Sequence, residues 1–136
     1  MRILVHPADD LPIYRQIMRQ IMDAIAGGRL APGERLASHR ELSEQLVIAP
    51  LTVKKAYDEL EALGYIESQR GRGTFVADRL PRDAGAAQTA ALQDAARALL
   101  SQAYLAGLRL PDVVALLKDA DRELTNGPVP RHRKAE

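Results

Sequence analysis

The stretch Ser38 to Gly64, SHRELSEQLVIAPLTVKKAYDELEALG, decides how the rest of the chain is read. Ser38 followed by Glu41 is a capping box: the hydroxyl accepts from the third helical N–H, and the carboxylate reaches back to the cap N–H. Leu42 and Leu46 place an apolar pair on one face of the helix that follows. Val47, Ile48 and Ala49 fill a short connection, and Pro50 suits the first position of a second helix, where no N–H partner is needed. Val53, Ala56, Tyr57 and Leu60 then repeat at i, i+3, i+4 and i+7, the spacing of a buried stripe. Gly64 stands where a left-handed C′ residue ends a helix.

Two helices joined so tightly, the second carrying an outward polar face, form a helix-turn-helix arrangement. Leu51, Lys55 and Asp58 point away from the stripe, with Thr52 and Lys54 flanking it. In such a motif these outward residues meet base edges in the major groove of DNA. An ordinary helical hairpin with a solvated charged face is the plain alternative from this window alone.

The segment after Gly64 favours the first reading. Tyr65 to Gln69 is strand-like, Thr74 to Ala77 is a second strand, and Arg70-Gly71-Arg72-Gly73 supplies the positive-φ positions of a hairpin turn. A hairpin directly after a helix-turn-helix is a wing. Two arginines among glycines let its tip approach a phosphate or enter a narrow minor groove. A charged tip with no partner is the alternative.

Upstream, Ile3 to Val5 reads as an edge strand or extended arm, broken by His6 to Asp10. Pro12 opens a helix with Ile13, Ile17, Ile21 and Ile25 on one face, widened by Met18 and Met22 and stopped by Gly27 and Gly28. Packed behind the helix pair, it completes a three-helix core. Downstream, residues 78–89 mix Pro, Gly, Ala and charge without periodicity and read as a linker. One helix follows with Leu92, Leu99, Leu100 and Tyr104 apolar, ending at Gly107. Another, opened by Pro111 and Asp112, carries Val113, Leu116 and Leu117. Two short amphipathic helices cannot bury both faces alone. A homodimer through these seven residues is expected, since a two-fold pair would set two reading heads on one duplex; packing back on the monomer is the alternative. Residues 128–136, with Arg131, His132, Arg133 and Lys134, carry no apolar pattern and are expected to be disordered.

Composition narrows the remaining classes. The 136 residues are 46% hydrophobic with one Phe, four Tyr, no Trp and no Cys, so the core is aliphatic and disulfides and thiolate metal sites are excluded. No apolar run reaches the roughly 18 residues of a membrane span, and no signal segment stands at the amino terminus; a cytoplasmic protein without a membrane partner is expected. The net charge of +1 gives no overall basic footprint, so only placement of charge argues for nucleic acid: Arg40, Lys54, Lys55, Arg70 and Arg72 all fall in or beside the reading head. His6, His39 and His132 are scattered, with neither a catalytic constellation nor metal-ligand spacing. No enzyme, cofactor or metal site is expected.

From Pro12 to Val76 the chain resembles the winged helix-turn-helix domain of GntR-family bacterial transcription regulators. The matching pieces are PIYRQI in the first helix, G-x-L-x-P-G-E-x-L from Gly28 to Leu36, S-x-R-E-L from Ser38 to Leu42, T-V-x-x-A-Y-x-x-L from Thr52 to Leu60, G-Y-I from Gly64 to Ile66, and R-G-x-G-T-F-V from Arg70 to Val76. The short helical pair at the end is similar to the YtrA-like subfamily, whose small C-terminal domain serves dimerisation. The resemblance implies a winged helix-turn-helix domain over 1–77 and a dimerisation domain over 90–127, mainly α with a small β-hairpin. It implies a transcriptional regulator, a repressor, that binds a palindromic double-stranded DNA operator as a homodimer. By position it gives the DNA-contacting set Ser38, Arg40, Pro50, Leu51, Thr52, Lys54, Lys55, Arg70, Gly71 and Arg72. Ala49 stands where Ser or Asn caps the recognition helix, a loss of about 0.5–2 kcal/mol. Leu51 and Lys54 stand where a polar residue and an arginine are common; Lys cannot fork onto guanine, and Leu51 favours a thymine methyl. A small-molecule effector of unknown identity is left open, acting through the helical pair or linker. A winged helix that binds proteins instead of DNA is the alternative function.

Overall fold

The computed structural model describes residues 3–80 and 86–127. In chain order the elements are α1 (Ile13–Ala26), β1 (Arg35–Leu36), α2 (His39–Leu46), α3 (Pro50–Ala62), β2 (Ile66–Gln69), β3 (Gly73–Val76), α4 (Ala86–Leu105) and α5 (Leu110–Asn126). Contacts divide the chain into two compact units, with boundaries after Pro81 and after Glu123.

In the first unit α1 and α2 both pack on α3. Their shared core is aliphatic: Ile17, Ile21 and Ala24 from α1, Leu42 from α2, and Val53, Ala56 and Leu60 from α3 are all fully buried. Burying a leucine- or isoleucine-sized side chain contributes about 1.5–3 kcal/mol, so this cluster dominates the stability of the unit. The α1 stripe is interrupted by Gln16, which is buried because it is fully used. Its side-chain amide accepts from His6 N–H at 2.8 Å and donates to the carbonyls of His6 and Leu11 at 3.0 and 2.7 Å. Gln20 repeats the pattern on Leu4, accepting from its N–H at 2.9 Å and donating to its carbonyl at 2.6 Å. Two amides one helical turn apart thus hold alternate residues of an extended arm whose Ile3 enters the core. The arm is extended, as its composition suggests, but pairs with a helix's side chains and not with a strand.

The sheet is larger than the hairpin expected. The order is β1-β3-β2, all antiparallel, with Arg35 opposite Phe75, Leu36 opposite Thr74, and Ile66 to Gln69 running against Val76 to Gly73. β1 is two residues long, too short for any period-2 pattern to announce it. It buries Leu36 and holds the wing's inner strand from the far side.

Tyr57 ties the motif together. Its hydroxyl donates to the carbonyl of Ala37 at 2.6 Å from a buried position, fixing α3 to the residue before the α2 cap. Burial, and then the negative charge of Glu41, push the phenol well above the ordinary tyrosine range. The fold therefore holds the phenolic proton more tightly than the unfolded chain does. This contribution is complete below about pH 10 and is lost as pH rises beyond it. Tyr57→Phe is expected to cost about 1–2 kcal/mol in urea unfolding, because the Ala37 carbonyl loses its donor, and to remove that alkaline decline.

The second unit is a helical hairpin. The turn uses Gly107 at φ 86, and Leu108 N–H donates to the Ala103 carbonyl at 2.9 Å. Asp112 accepts from Arg109 N–H at 2.8 Å, closing the first turn of α5. α4 begins at Ala86, inside the segment 78–89 read as linker, because Ala86, Ala87 and Gln88 are good helix formers whatever their lack of apolar periodicity. Ala103 and Val113 are buried and Leu99 and Leu100 half-buried, whereas Leu92, Tyr104, Leu116 and Leu117 are exposed. Val113 is therefore covered within the chain and is not free to meet a partner. The expected tail, 128–136, lies outside the described residues.

Candidate nucleic-acid interface

The interface is built from three pieces of the first unit. The first is the start of α2. Ser38 Oγ accepts from Glu41 N–H at 3.1 Å, and Glu41 accepts from Ser38 N–H at 3.3 Å, so the capping box forms with both halves present. The Ser38 oxygen is thus a structural cap, which limits it as a direct contact. Arg40, one residue into the helix beyond His39, is exposed.

The second piece is the turn and α3. Ile48 N–H donates to the Ser43 carbonyl at 3.1 Å, and Val47 takes φ 56, a conformation unusual for a β-branched residue. This tight reversal sets α3 directly against α2. Ala49 occupies the cap of α3 without a side-chain hydrogen bond, the deficit expected from its side chain, and Pro50 opens the helix. With Val53, Ala56, Tyr57 and Leu60 turned inward, Pro50, Leu51, Lys54, Lys55 and Asp58 are exposed and Thr52 is half-buried. The two lysines differ in their engagements. Lys54 Nζ pairs with Asp58 one turn on at 2.7 Å, whereas Lys55 Nζ sits 4.3 Å from the centroid of the Tyr14 ring on α1. Both contacts lie at the surface, where such pairs hold a side chain weakly enough to be exchanged for a phosphate.

The third piece is the wing. Arg72 N–H donates to the Gln69 carbonyl at 2.9 Å, closing a turn whose third residue, Gly71, has φ 77. A Cβ at Gly71 would meet nothing within 4 Å, so the backbone angle and not crowding requires glycine there. Arg70, Gly71 and Arg72 are all exposed, and neither arginine forms an ion pair among the described residues. The wing is fixed to the end of α3 by Glu61, which accepts from Ser68 N–H at 3.1 Å and from its hydroxyl at 3.2 Å.

Nothing in the sequence marks Arg35 as part of the wing. It is exposed on β1, and its guanidinium lies across Gly73: a Cβ at Gly73 would come within 2.7 Å of Nε. A third arginine thus stands at the base of the wing, and the absence of a side chain at Gly73 makes room for it. Only the β1–β3 pairing, invisible in the sequence, brings the two together. An open groove of about 330 Å³ on α1 is lined by Leu11, Arg15, Met18, Arg19, Met22 and Asp23. Among the described residues no cluster of His, Asp and Glu could hold a metal ion, and no helix is long and apolar enough to cross a membrane.

Residues 13–76 match the model of the family described as bacterial regulatory proteins, gntR family. The HTH-type transcriptional repressor YtrA of Bacillus subtilis (strain 168) is 32% identical over 125 residues, spanning 92% of this chain and 96% of that protein. Among solved structures, a transcriptional antiterminator from Listeria monocytogenes EGD-e superposes with a TM-score of 0.73 at 26% identity, covering 95% of this chain and 96% of its own. YtrA from Sulfolobus acidocaldarius, a GntR-family transcription factor, gives 0.53 at 30% identity, with 89% and 97% covered. Relatives of matching length carry the likeness through the helical hairpin as well as the winged helix. The chain belongs to the gntR family of bacterial regulatory proteins, in its YtrA-like branch, and is a DNA-binding transcription regulator.

Proposed function

We propose that the protein is a repressor that binds an approximately palindromic operator as a homodimer in the cytoplasm. Two α3 helices enter successive major grooves about 34–36 Å apart, and each wing adds phosphate and minor-groove contacts through Arg70, Gly71 and Arg72. Arg40 holds the adjacent backbone from α2, while Lys54 exchanges Asp58 for a phosphate or a base edge. The two copies meet through the exposed apolar residues of α4 and α5. Binding is the whole of its activity, with no catalytic step.

The observation that carries this reading is the exposure of Arg40, of Leu51, Lys54 and Lys55 on α3 and of Arg70 to Arg72 on the wing, with Glu61 of α3 hydrogen-bonded to Ser68 of the hairpin. The name of the Bacillus subtilis relative supports repression. Selection from a random duplex pool, followed by a salt titration on the enriched duplex, tests the proposal. An inverted repeat and a log K that falls linearly with log[salt] are expected. Enrichment of no sequence would reject it.

A further inference from the structure

Leu51 is the second residue of α3 and is 77% exposed. The buried stripe of α3 points the opposite way, so at 3.6 residues per turn Leu51 shares its sector with Lys54, Lys55 and Asp58. Those three have partners within the chain: Lys54 and Asp58 pair with each other, and Lys55 sits on Tyr14. Leu51 supports no packing in the unit and has no hydrogen-bonding atom. The two residues before it add none either, since Ala49 makes no side-chain cap and Pro50 has no N–H. The leading edge of the helix is therefore apolar at the position that enters a groove first.

Of the groups that base pairs display in the major groove, the C5 methyl of thymine is the apolar one; the rest are hydrogen-bond donors and acceptors. A leucine set against a donor or acceptor would strip it of water and return nothing. Set against a methyl, it removes apolar surface from water on both sides. We propose that Leu51 is a specificity-determining residue that reads a thymine methyl, so that each half-site carries one required thymine facing the start of α3. This rests on α3 being the groove-entering helix, as proposed above.

The test uses the full chain and the duplex enriched from a random pool. Each thymine is replaced in turn by deoxyuridine, which deletes the methyl and leaves base pairing intact. Affinities are measured for the wild type and for L51A, whose substitution lies on the surface and favours helix. At one thymine per half-site, uracil should weaken the wild type about fourfold, the worth of one buried methyl-sized group, and leave L51A unchanged. Equal losses in both proteins at every position, or no loss anywhere, would overturn the assignment while leaving DNA recognition standing. Failure to enrich any duplex would remove DNA recognition and the inference with it.

Discussion

The double substitution Leu116→Glu with Leu117→Glu is expected to convert the protein to a monomer and to weaken operator binding by about 100-fold or more. Both leucines are roughly half exposed on α5 (49% and 51%), in a hairpin that also exposes Leu92, Tyr104 and Leu105. Exposed apolar residues concentrated on so short a segment mark an interaction surface, and a two-fold partner is the simplest occupant. Four carboxylates brought together in the pair would each lose water and repel one another. Affinity falls because tethering two reading heads converts the second binding event into an intramolecular one, a gain on the order of 10²–10⁴. Because the substituted positions are exposed, the winged helix itself should unfold at the same urea concentration. Sedimentation should report twice the 14.9 kDa chain mass for the wild type and the single mass for the variant. A variant that stays dimeric would reject this surface as the interface.

Arg40→Ala combined with Arg70→Ala should weaken operator binding roughly 100-fold at moderate salt and reduce the slope of log K against log[salt] by about two per half-site, roughly four for the dimer. The two arginines lie at opposite margins of the interface, on α2 and at the wing tip, so their losses should be close to additive. Each single variant should lower the slope by about one in a dimer-normalised measurement per half-site. Since both side chains are exposed and form no ion pair among the described residues, stability should not change. An unaltered slope would mean that the phosphates lie elsewhere.

Much of the first unit was legible because its signals are local. The Ser38–Glu41 box, Pro50 at the head of α3, the stripe Val53-Ala56-Tyr57-Leu60 and the left-handed Gly64 each specify backbone within a few residues, and the structure has all four. What was not legible depends on distant pairing. β1 exists because Leu36 meets Thr74, and Arg35 joins the wing because that register sets it beside Gly73. The clamp of Gln16 and Gln20 on the amino-terminal arm reads in sequence only as two polar residues on an amphipathic helix. In the hairpin, periodicity identified the apolar positions but could not tell Val113, covered in the chain, from Leu116 and Leu117, which are not. At the interface, residue type suggested Lys54 and Lys55 as equivalent cations; the geometry separates one held by a carboxylate from one resting on an aromatic ring.

The interface assignment is tested most directly by hydroxyl-radical footprinting of the enriched duplex with the wild type and with R70A. Two protected backbone tracts, one helical turn apart and flanked by protected minor-groove segments, are expected. R70A should lose the flanking segments and keep the central tracts. Identical footprints for the two proteins, or protection confined to one face without flanking segments in the wild type, would contradict it.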